Sequence, residues 1–145
     1  MKRIFVTLLL LLFWARGYLA APMTVRVLTY NIHHGEGRDS QFDLPRLADV
    51  MKSVQPDLVA LQEVDRGTDR ASGVDQLAEL ERLMNMHGTF GKTIDYQGGS
   101  YGVAVLSRWP VLSVENRPLP SSPDREARTA LTVQMRAGEG GPLLQ

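Results

Sequence analysis

The sequence contains no cysteine in its 145 residues, which excludes disulfide bonds, thiolate metal sites and cysteine nucleophiles. It also lacks an excess of charge of either sign, because 16 lysines and arginines balance 16 aspartates and glutamates. A neutral chain does not offer the large cationic surface by which proteins bind nucleic-acid backbones through counterion release. Nucleic acid stays possible as a substrate, but the charge does not favour it.

Long hydrophobic runs are absent except for one near the N-terminus, where eleven mostly apolar residues from Ile4 to Trp14 follow Lys2 and Arg3. A membrane-spanning helix needs about 20 apolar residues, so this run is short for a span. A basic start followed by a short apolar run is typical of a secretory signal segment, which we assign to residues 1–21. An uncleaved membrane anchor is the alternative. The sequence therefore predicts a protein that is exported, either periplasmic or secreted, or held at a membrane by this segment.

Residues 23–145 have the size and composition of one globular domain, since 43% of the whole chain is hydrophobic and 22% is charged. The first predicted element is a strand over residues 24–32, where β-branched side chains are frequent and the two faces alternate. Asn31 stands at the end of this strand. The polar, glycine-containing segment 33–38 predicts a turn beside Asn31.

An amphipathic helix is predicted after this turn. Asp43 is suited to cap its N-terminus, and Pro45 is tolerated in its first turn. Apolar side chains recur at the spacing of one helical face, at Leu44, Leu47, Ala48 and Met51. The helix must end before Pro56, because proline disfavours helical backbone at the residue that precedes it.

The segment from Leu58 to Asp65 is the most informative part of the sequence. An apolar run leads directly into acidic side chains, which predicts a buried strand that presents a carboxylate at its end. Strict alternation places Glu63 on the same face as Val59 and Leu61. Carboxylates in such a position suit hard cations such as Mg²⁺, which bind through oxygen ligands.

Strand, helix and strand with short connections form a predicted βαβ unit, whose two strands lie parallel. The C-terminal ends of parallel strands meet at one edge of the sheet, so we expect Asn31 and Glu63 to lie close together there. Open α/β sheets bind ligands at this edge. Two weak signals thus combine into one candidate site.

The turn after Asn31 carries His33 and His34. Neighbouring residues at a strand end point in opposite directions, so at most one of these histidines is expected to share a site with Asn31. The charged loop after the second strand contains Arg66 and Arg70. They are able to contact an anionic substrate or to lie in solvent as ordinary loop residues, and the sequence leaves both interpretations open.

A second helix is predicted from its N-cap, Asp75, to just before Gly88, with leucines and methionines on its buried face. Further strands are predicted over residues 89–96, 101–107, 111–114 and 127–135, with a link rich in proline and serine at 118–123. Residues 137–142 have the composition of a hairpin loop, after which a new strand begins at Leu143. We therefore expect residues 23–145 to be the first half of a larger domain, truncated at the C-terminus.

Three blocks of sequence carry a family resemblance. They are Thr29-Tyr30-Asn31-Ile32-His33-His34-Gly35, then Leu61-Gln62-Glu63-Val64-Asp65, then Tyr101-Gly102 with Ala104 and Leu106-Ser107-Arg108. In order and spacing they resemble successive blocks of the endonuclease/exonuclease/phosphatase superfamily of metal-dependent hydrolases. The resemblance covers about residues 24–135 and implies an α/β fold of four layers, in which two packed sheets are flanked by helices. It also implies that Glu63 is a ligand of a divalent metal, Mg²⁺ or Mn²⁺, and that Asn31 helps to orient the metal or the scissile phosphate.

The sequence departs from the family pattern in two ways. Val103 stands where many relatives carry asparagine, so the resemblance does not carry over any contact made by that asparagine. The Gly-Asp-x-Asn and Ser-Asp-His blocks, which supply a further carboxylate and a His–Asp pair in the family, do not occur in these 145 residues. The sequence thus holds half of the expected site, and we expect the chain alone to show little or no hydrolysis.

The expected reaction is hydrolysis of a phosphoester, in which a metal acts as Lewis acid and a His–Asp pair deprotonates the attacking water. Neutral charge and predicted export favour a small or lipid-like phosphoester over duplex DNA, although the fold itself does not choose the substrate. The alternative is a non-catalytic protein, exported or membrane-anchored, that binds a partner through an open sheet edge.

Overall fold

The structure is a computed structural model that describes residues 23–122 and 124–145. The predicted signal segment at residues 1–21 lies outside the described residues, so its assignment stays a prediction. Within the described ranges, no helix has the length and apolar character that a membrane span requires.

The described residues form seven strands and two α-helices. The strands are β1 (Val27–Asn31), β2 (Leu58–Arg66), β3 (His87–Tyr96), β4 (Gly99–Ser107), β5 (Val111–Leu119), β6 (Arg128–Arg136) and β7 (Leu143–Leu144). The helices are α1 (Leu44–Ser53) and α2 (Gln76–Met84), and short 3-10 turns lie at His33–Gly35 and Asp69–Ala71. One sheet has the strand order β1-β2-β4-β3, and the second has the order β5-β6-β7.

The predicted βαβ unit is confirmed, because β1 and β2 pair in parallel and α1 connects them. The helix begins where the carboxylate of Asp43 accepts a hydrogen bond from the backbone nitrogen of Arg46, at 2.9 Å. Its buried face consists of Leu44, Ala48 and Met51. The C-terminal end of β1 lies beside the middle of β2, with Asn31 opposite Gln62, and β2 continues past Glu63 to Arg66.

Helix α2 begins in the same way, since the carboxylate of Asp75 accepts a hydrogen bond from the backbone nitrogen of Ala78 at 3.0 Å. It ends at Asn85, which has left-handed backbone. Both helices pack on the same face of the four-stranded sheet and enclose the main hydrophobic core. Fully buried members of this core include Met51, Val59, Leu61, Leu80 and Leu106.

The second sheet packs against the opposite face of the first. Asn116 of β5 donates a hydrogen bond to the backbone oxygen of Lys92 in β3, at 2.8 Å. The hydroxyl of Ser107 in β4 donates to the sulfur of Met135 in β6, at 3.1 Å. The predicted α/β fold with two packed sheets is therefore confirmed. The described residues contain one helix layer and both sheets of the four layers expected.

Strand β5 is longer than predicted. It continues through Pro118 to Leu119, where the sequence predicts an irregular link. This extension is possible because β5 pairs with β6 on one side only among the described residues, and an edge strand tolerates a proline that lacks the backbone N–H. Pro118 lies opposite Thr129 in the pairing.

Candidate metal centre

A β-bulge interrupts β2 at the candidate site. Leu61 lies opposite Ala104 and Val64 lies opposite Gly102, so β2 carries one residue more than β4 between these two pairs. Glu63 lies within the bulge and has a φ of 59°, in the left-handed region that residues other than glycine seldom adopt. Bulges re-aim side chains and are frequent beside active sites.

The bulge corrects the predicted direction of Glu63. Alternation predicts that Glu63 shares a face with Val59 and Leu61, and this prediction is wrong. Val64 takes that place and is fully buried in the core together with Val59 and Leu61. Because the extra residue shifts the alternation, the Glu63 side chain lies on the opposite face, where it meets Asn31.

Asn31 and Glu63 are in direct contact, as the predicted topology requires. The amide nitrogen Nδ2 of Asn31 donates a hydrogen bond to Oε1 of Glu63 at 2.7 Å. The amide oxygen of Asn31 accepts a hydrogen bond from the backbone nitrogen of His33 at 2.8 Å, which fixes the orientation of the amide. In this geometry Asn31 orients the carboxylate of Glu63. Ligation of a metal by either residue stays a prediction.

Both histidines of the following turn reach the same site, which the sequence did not predict. His33 and His34 have φ values of 46° and 45°, so the backbone turns in the left-handed sense at two consecutive residues. Their ring centroids are 4.3 Å apart. One donor atom from each of His33, His34 and Glu63 lies within 4.8 Å of the other two. The prediction that at most one histidine shares the site is therefore wrong.

The pKa of His34 is lowered below its ordinary value. Burial of the imidazole is the largest cause, followed by the positive charges of Arg70 and His33. Nε2 of His34 lies 3.6 Å from a carboxylate oxygen of Glu36, which opposes the shift. The lowered pKa favours the neutral imidazole, which is the form that is able to bind a metal.

Gln76 is a positioning residue that sequence reasoning missed. Its side-chain nitrogen donates a hydrogen bond to the backbone oxygen of His34 at 2.6 Å, and its oxygen accepts one from the backbone nitrogen of Asp65 at 2.8 Å. Gln76 has no exposed surface. The signal was present, because a glutamine stands four residues before the buried Leu80 on the core-facing side of α2.

Asp65 supports the wall of the site. This fully buried carboxylate accepts two hydrogen bonds from the guanidinium of Arg70, at 2.6 and 2.9 Å, and a third from the hydroxyl of Thr68 at 2.7 Å. Arg70 also lies over the ring of Tyr96, 4.6 Å from its centroid, and 5.5 Å from that of Tyr101. Arg70 is therefore fixed in place at the site.

Arg66 lies elsewhere. It forms an ion pair with Asp75 at 2.7 Å, and more than half of its side chain is exposed. It is not among the residues that line the cleft described below. Of the two arginines in the charged loop, only Arg70 is therefore placed to meet a ligand in the cleft.

A cleft of about 310 Å³ opens beside these groups. Its walls come from both sheets and from the turn after β1, and they are formed by His33, His34, Glu63, Arg70, Ile94, Tyr96, Tyr101, Glu126 and Arg128. Burial raises the pKa of the Tyr101 hydroxyl, with the negative charge of Glu63 as the second cause. Glu126 is paired with Arg128 at 2.9 Å. Sequence reasoning missed Arg128, because nothing in the sequence shows how the second sheet packs on the first.

Val103 lies in the adjoining part of the cleft. A neighbouring cavity of about 280 Å³ is lined by this residue together with Asn31, Glu63 and Arg128. Many members of the family that the sequence resembles carry asparagine at this position. In this chain the position is instead an apolar wall next to the Asn31–Glu63 pair. Any polar contact to a ligand at this point has to come from another side chain.

The donor atoms of the site fit a divalent cation. One carboxylate, completed by waters and substrate phosphate, is a usual protein contribution to a Mg²⁺ site. Glu63 is partly exposed and lines the cleft, so its free oxygen is accessible. The imidazole nitrogens beside it suit first-row metals that accept nitrogen ligands.

A sequence model of the Endonuclease/Exonuclease/phosphatase family matches residues 28–142. The chain belongs to this family. Members of the endonuclease/exonuclease/phosphatase family are hydrolases and generally depend on divalent metals, so membership supports a phosphoester hydrolase type of function. The resemblance seen in the three sequence blocks is confirmed.

The chain is also similar to proteins of known sequence and structure. The chain is 34% identical over 100 residues to "uncharacterized protein YbhP" of Escherichia coli K12, covering 63% of this chain and 40% of YbhP. An endonuclease/exonuclease/phosphatase from Beutenbergia cavernae is 30% identical with a TM-score of 0.65, covering 82% of this chain and 36% of that one. The human Nocturnin catalytic domain shares the fold, at 19% identity and a TM-score of 0.56, over 82% of this chain and 47% of its own. The chain spans less than half the length of these proteins.

Proposed function

We propose that this chain belongs to a hydrolase of phosphoester bonds that depends on Mg²⁺ or Mn²⁺, with Glu63 as a metal ligand and Asn31 as the residue that orients it. The observation that carries the proposal is the 2.7 Å hydrogen bond between the Asn31 amide and the Glu63 carboxylate at the edge of the cleft. It leaves the other carboxylate oxygen free for a cation. When bound there, a divalent cation would supply Lewis-acid activation of a phosphoryl oxygen.

The charges around the cleft support a cation at Glu63. In the part of the chain that the structure describes, Glu126 is neutralised by Arg128 and Asp65 by Arg70. Glu63 has a neutral amide as its partner instead. An acidic group that lines a cleft without a basic partner is suited to attract a metal ion. Arg70 and Arg128 line the same cleft, and guanidinium groups are suited to bind a phosphate there.

A small or lipid-like phosphoester is the substrate class that we favour. The cleft holds about 310 Å³, which is in the range of small-molecule sites, and tyrosine and isoleucine side chains form part of its wall. The neutral net charge of the chain adds no attraction for a long polyanion. We also propose that residues 1–21 direct the protein to export or anchor it to a membrane. Such a location would expose the cleft to substrates outside the cytoplasm.

Full hydrolytic activity requires more than the described residues contain. In residues 23–122 and 124–145, the one group of three potential metal ligands consists of His33, His34 and Glu63, and no histidine is hydrogen-bonded to an aspartate. General acid–base catalysis contributes about 10² to 10⁴ in rate, so slow or undetectable hydrolysis is expected from the 145-residue chain alone. Rapid Mg²⁺-dependent cleavage of a simple phosphodiester by this chain would refute that expectation.

The direct test of the proposal is Glu63→Gln, which keeps the shape of the side chain and its contact with Asn31 but removes the charge. We expect the affinity for Mn²⁺, measured by electron paramagnetic resonance of the free ion, and for Mg²⁺, measured by calorimetry, to fall at least about tenfold. Asp65 is unsuitable as a control, because its buried ion pair with Arg70 supports the fold.

Glu126→Gln is the matched control, since it removes a carboxylate that lines the same cleft. Its Mn²⁺ affinity should equal that of the unaltered chain. If Glu63→Gln also binds Mn²⁺ as tightly as the unaltered chain does, Glu63 is not a ligand and the proposed function loses its basis.

A further inference from the structure

We infer that His33, His34 and Glu63 form a single three-ligand site that prefers a cation accepting imidazole nitrogen, represented by Zn²⁺, over Mg²⁺. The inference rests on the proposed function, because both place a divalent cation at Glu63. It adds two ligands that neither the sequence analysis nor the family resemblance assigned. It also changes the expected order of metal preference.

The first support is the spacing of the donor atoms, which all lie within 4.8 Å of one another. In a tetrahedral site with bonds of about 2.1 Å, neighbouring ligand atoms are about 3.4 Å apart. His33 is exposed, and His34 and Glu63 are partly exposed, so their side chains have room for the small rotations that close this difference. Three protein ligands with one open position are the usual arrangement of a catalytic zinc site.

The second support is the backbone. Two consecutive residues other than glycine have φ values near 45°, a conformation that L-residues disfavour and that recurs at ligand-binding and catalytic sites. In an extended chain, the two imidazoles would point in opposite directions. The left-handed turn instead brings both rings to the side of Glu63, and their centroids are 4.3 Å apart.

The third support is the hydrogen bonding of His33. Its Nδ1 lies 3.2 Å from the backbone oxygen of Glu36, and a carbonyl oxygen only accepts hydrogen bonds. In the neutral imidazole, this contact assigns the proton to Nδ1 and leaves the lone pair on Nε2. Histidines that bind metals are oriented in this way, with the second ring nitrogen donating to a backbone carbonyl or a carboxylate.

The composition of the chain makes the inference testable. With no cysteine and three histidines in 145 residues, the chain offers few soft or nitrogen ligands outside this site. The third histidine, His87, begins β3, is exposed and is not part of the group. It therefore provides a control that removes one imidazole without touching the site.

The experiment measures Zn²⁺ affinity by competition with a chromophoric chelator, for the full chain and for three variants. They are the double variant His33→Asn with His34→Asn, the control His87→Asn, and Glu63→Gln. Asparagine is the replacement because it tolerates left-handed backbone better than other non-glycine residues. Circular dichroism and thermal unfolding of each variant show whether the fold is retained, and both single histidine variants are measured if the double variant is unfolded.

We expect the double histidine variant to bind Zn²⁺ about 100-fold more weakly and His87→Asn to bind it unchanged. Mg²⁺ affinity should be unchanged in both. In the unaltered chain, Zn²⁺ should shift the imidazole NMR signals of His33 and His34 but not that of His87. Unchanged Zn²⁺ affinity in the folded histidine variants overturns the inference.

The two proposals fail in different ways. If Glu63→Gln loses Mg²⁺ and Mn²⁺ while the histidine variants keep Zn²⁺, the proposed function stands and the three-ligand site is rejected. If Zn²⁺ affinity depends on the histidines but not on Glu63, the three-ligand site is also rejected, because the carboxylate is then not part of it. Loss of Zn²⁺ in both Glu63→Gln and the histidine variants supports the site.

Discussion

At the scale of single residues, His34 links the electrostatics of the site to the stability of the fold. Burial lowers its pKa, and the charges of Arg70 and His33 lower it further. The unfolded chain protonates this imidazole at its ordinary value of about 6.5. At pH values between the lowered pKa of the folded state and 6.5, His34 therefore binds more protons in the unfolded chain than in the folded one. The contribution of His34 to stability therefore rises with pH across that window, since the slope follows the difference in bound protons.

We predict that His34→Asn flattens this pH dependence. The free energy of unfolding is measured with urea in the presence of a chelator, at several values between about pH 5 and pH 8, where histidine titrates. The unaltered chain should gain stability as the pH rises towards 6.5, and the variant should gain less. An equal slope in both proteins would show that His34 has the same pKa in the folded and unfolded states.

The site was predictable from the sequence as far as strand topology determines it. Asn31 ends β1, and Glu63 lies in the bulge of the neighbouring parallel strand β2, so their proximity follows from the βαβ pattern and is confirmed. The participation of both His33 and His34 was not predictable, because it depends on left-handed backbone at two residues that seldom adopt it. Gln76 was missed for a related reason, since its role depends on which backbone groups lie next to it in space.

At the scale of elements, the pairing of β3 with β4 depends on Gly102. Both neighbouring strands have an irregular register opposite this part of β4, between Leu61 and Val64 in β2 and between Lys92 and Ile94 in β3. A Cβ atom on Gly102 would overlap the backbone oxygen of Gly91. Backbone cannot move aside as a side chain can. Close approach of β3 and β4 at this point therefore requires glycine.

We predict that Gly102→Ala lowers the free energy of unfolding by about 2 to 3 kcal/mol, the upper part of the range for an overpacked core position. Urea unfolding monitored by circular dichroism measures the loss. Gly37→Ala is the control, because its Cβ would meet the flexible ends of the Arg46 and Asp39 side chains and the change should stay within about 0.5 kcal/mol. If both variants lose the same free energy of unfolding, β3 and β4 are able to move apart without an energetic cost, and the prediction is wrong.

Helix starts were predictable because local chemistry determines them. Asp43 and Asp75 cap α1 and α2 through hydrogen bonds to nearby backbone nitrogens, as the sequence predicts. The bulge in β2 was not predictable, since the period of alternation gives no sign of an inserted residue and Glu63 is not the glycine that a left-handed position usually carries. The length of β5 was underestimated because proline is expected to end a strand inside a sheet. Pro118 is tolerated here because β5 lies at an edge, which the sequence does not reveal.

At the scale of the whole molecule, the second sheet leaves β5 as an edge strand in the described part of the chain. This strand is nine residues long. The exposed fractions of Leu112, Val114 and Leu119 are 59%, 52% and 43%. Long edges with apolar side chains favour association between chains. A net charge of zero adds no repulsion to oppose it.

We predict that the 145-residue chain associates as its concentration rises, and that Val114→Lys reduces this association by placing a charge on the edge. Sedimentation velocity over a range of concentrations measures the effect. Val50→Lys, which changes a similarly exposed valine on α1, should leave association unchanged. Equal association in the two variants would show that the β5 edge is not the contact. Binding of a different protein through this edge stays a prediction.

The layers of the molecule were predictable in part. The βαβ pattern predicted the parallel pairing of β1 and β2, and the family resemblance implied two packed sheets. The contacts of Asn116 and Ser107 across the two sheets confirm the packing. Which residues of the second sheet reach the cleft was not predictable. Arg128 and Glu126 join it only because β6 crosses the face of the first sheet at this point, and no local pattern records such a crossing.

The left-handed backbone at His33, His34 and Glu63 has a consequence for engineering. Glycine adopts this conformation without steric penalty, whereas other L-residues lose about 1 to 2 kcal/mol each. A screen that rewards heat resistance alone should therefore replace these side chains early, and each replacement discards a donor atom from the cleft. Thermally robust descendants selected in that way would be poor starting points for building a catalyst on this scaffold.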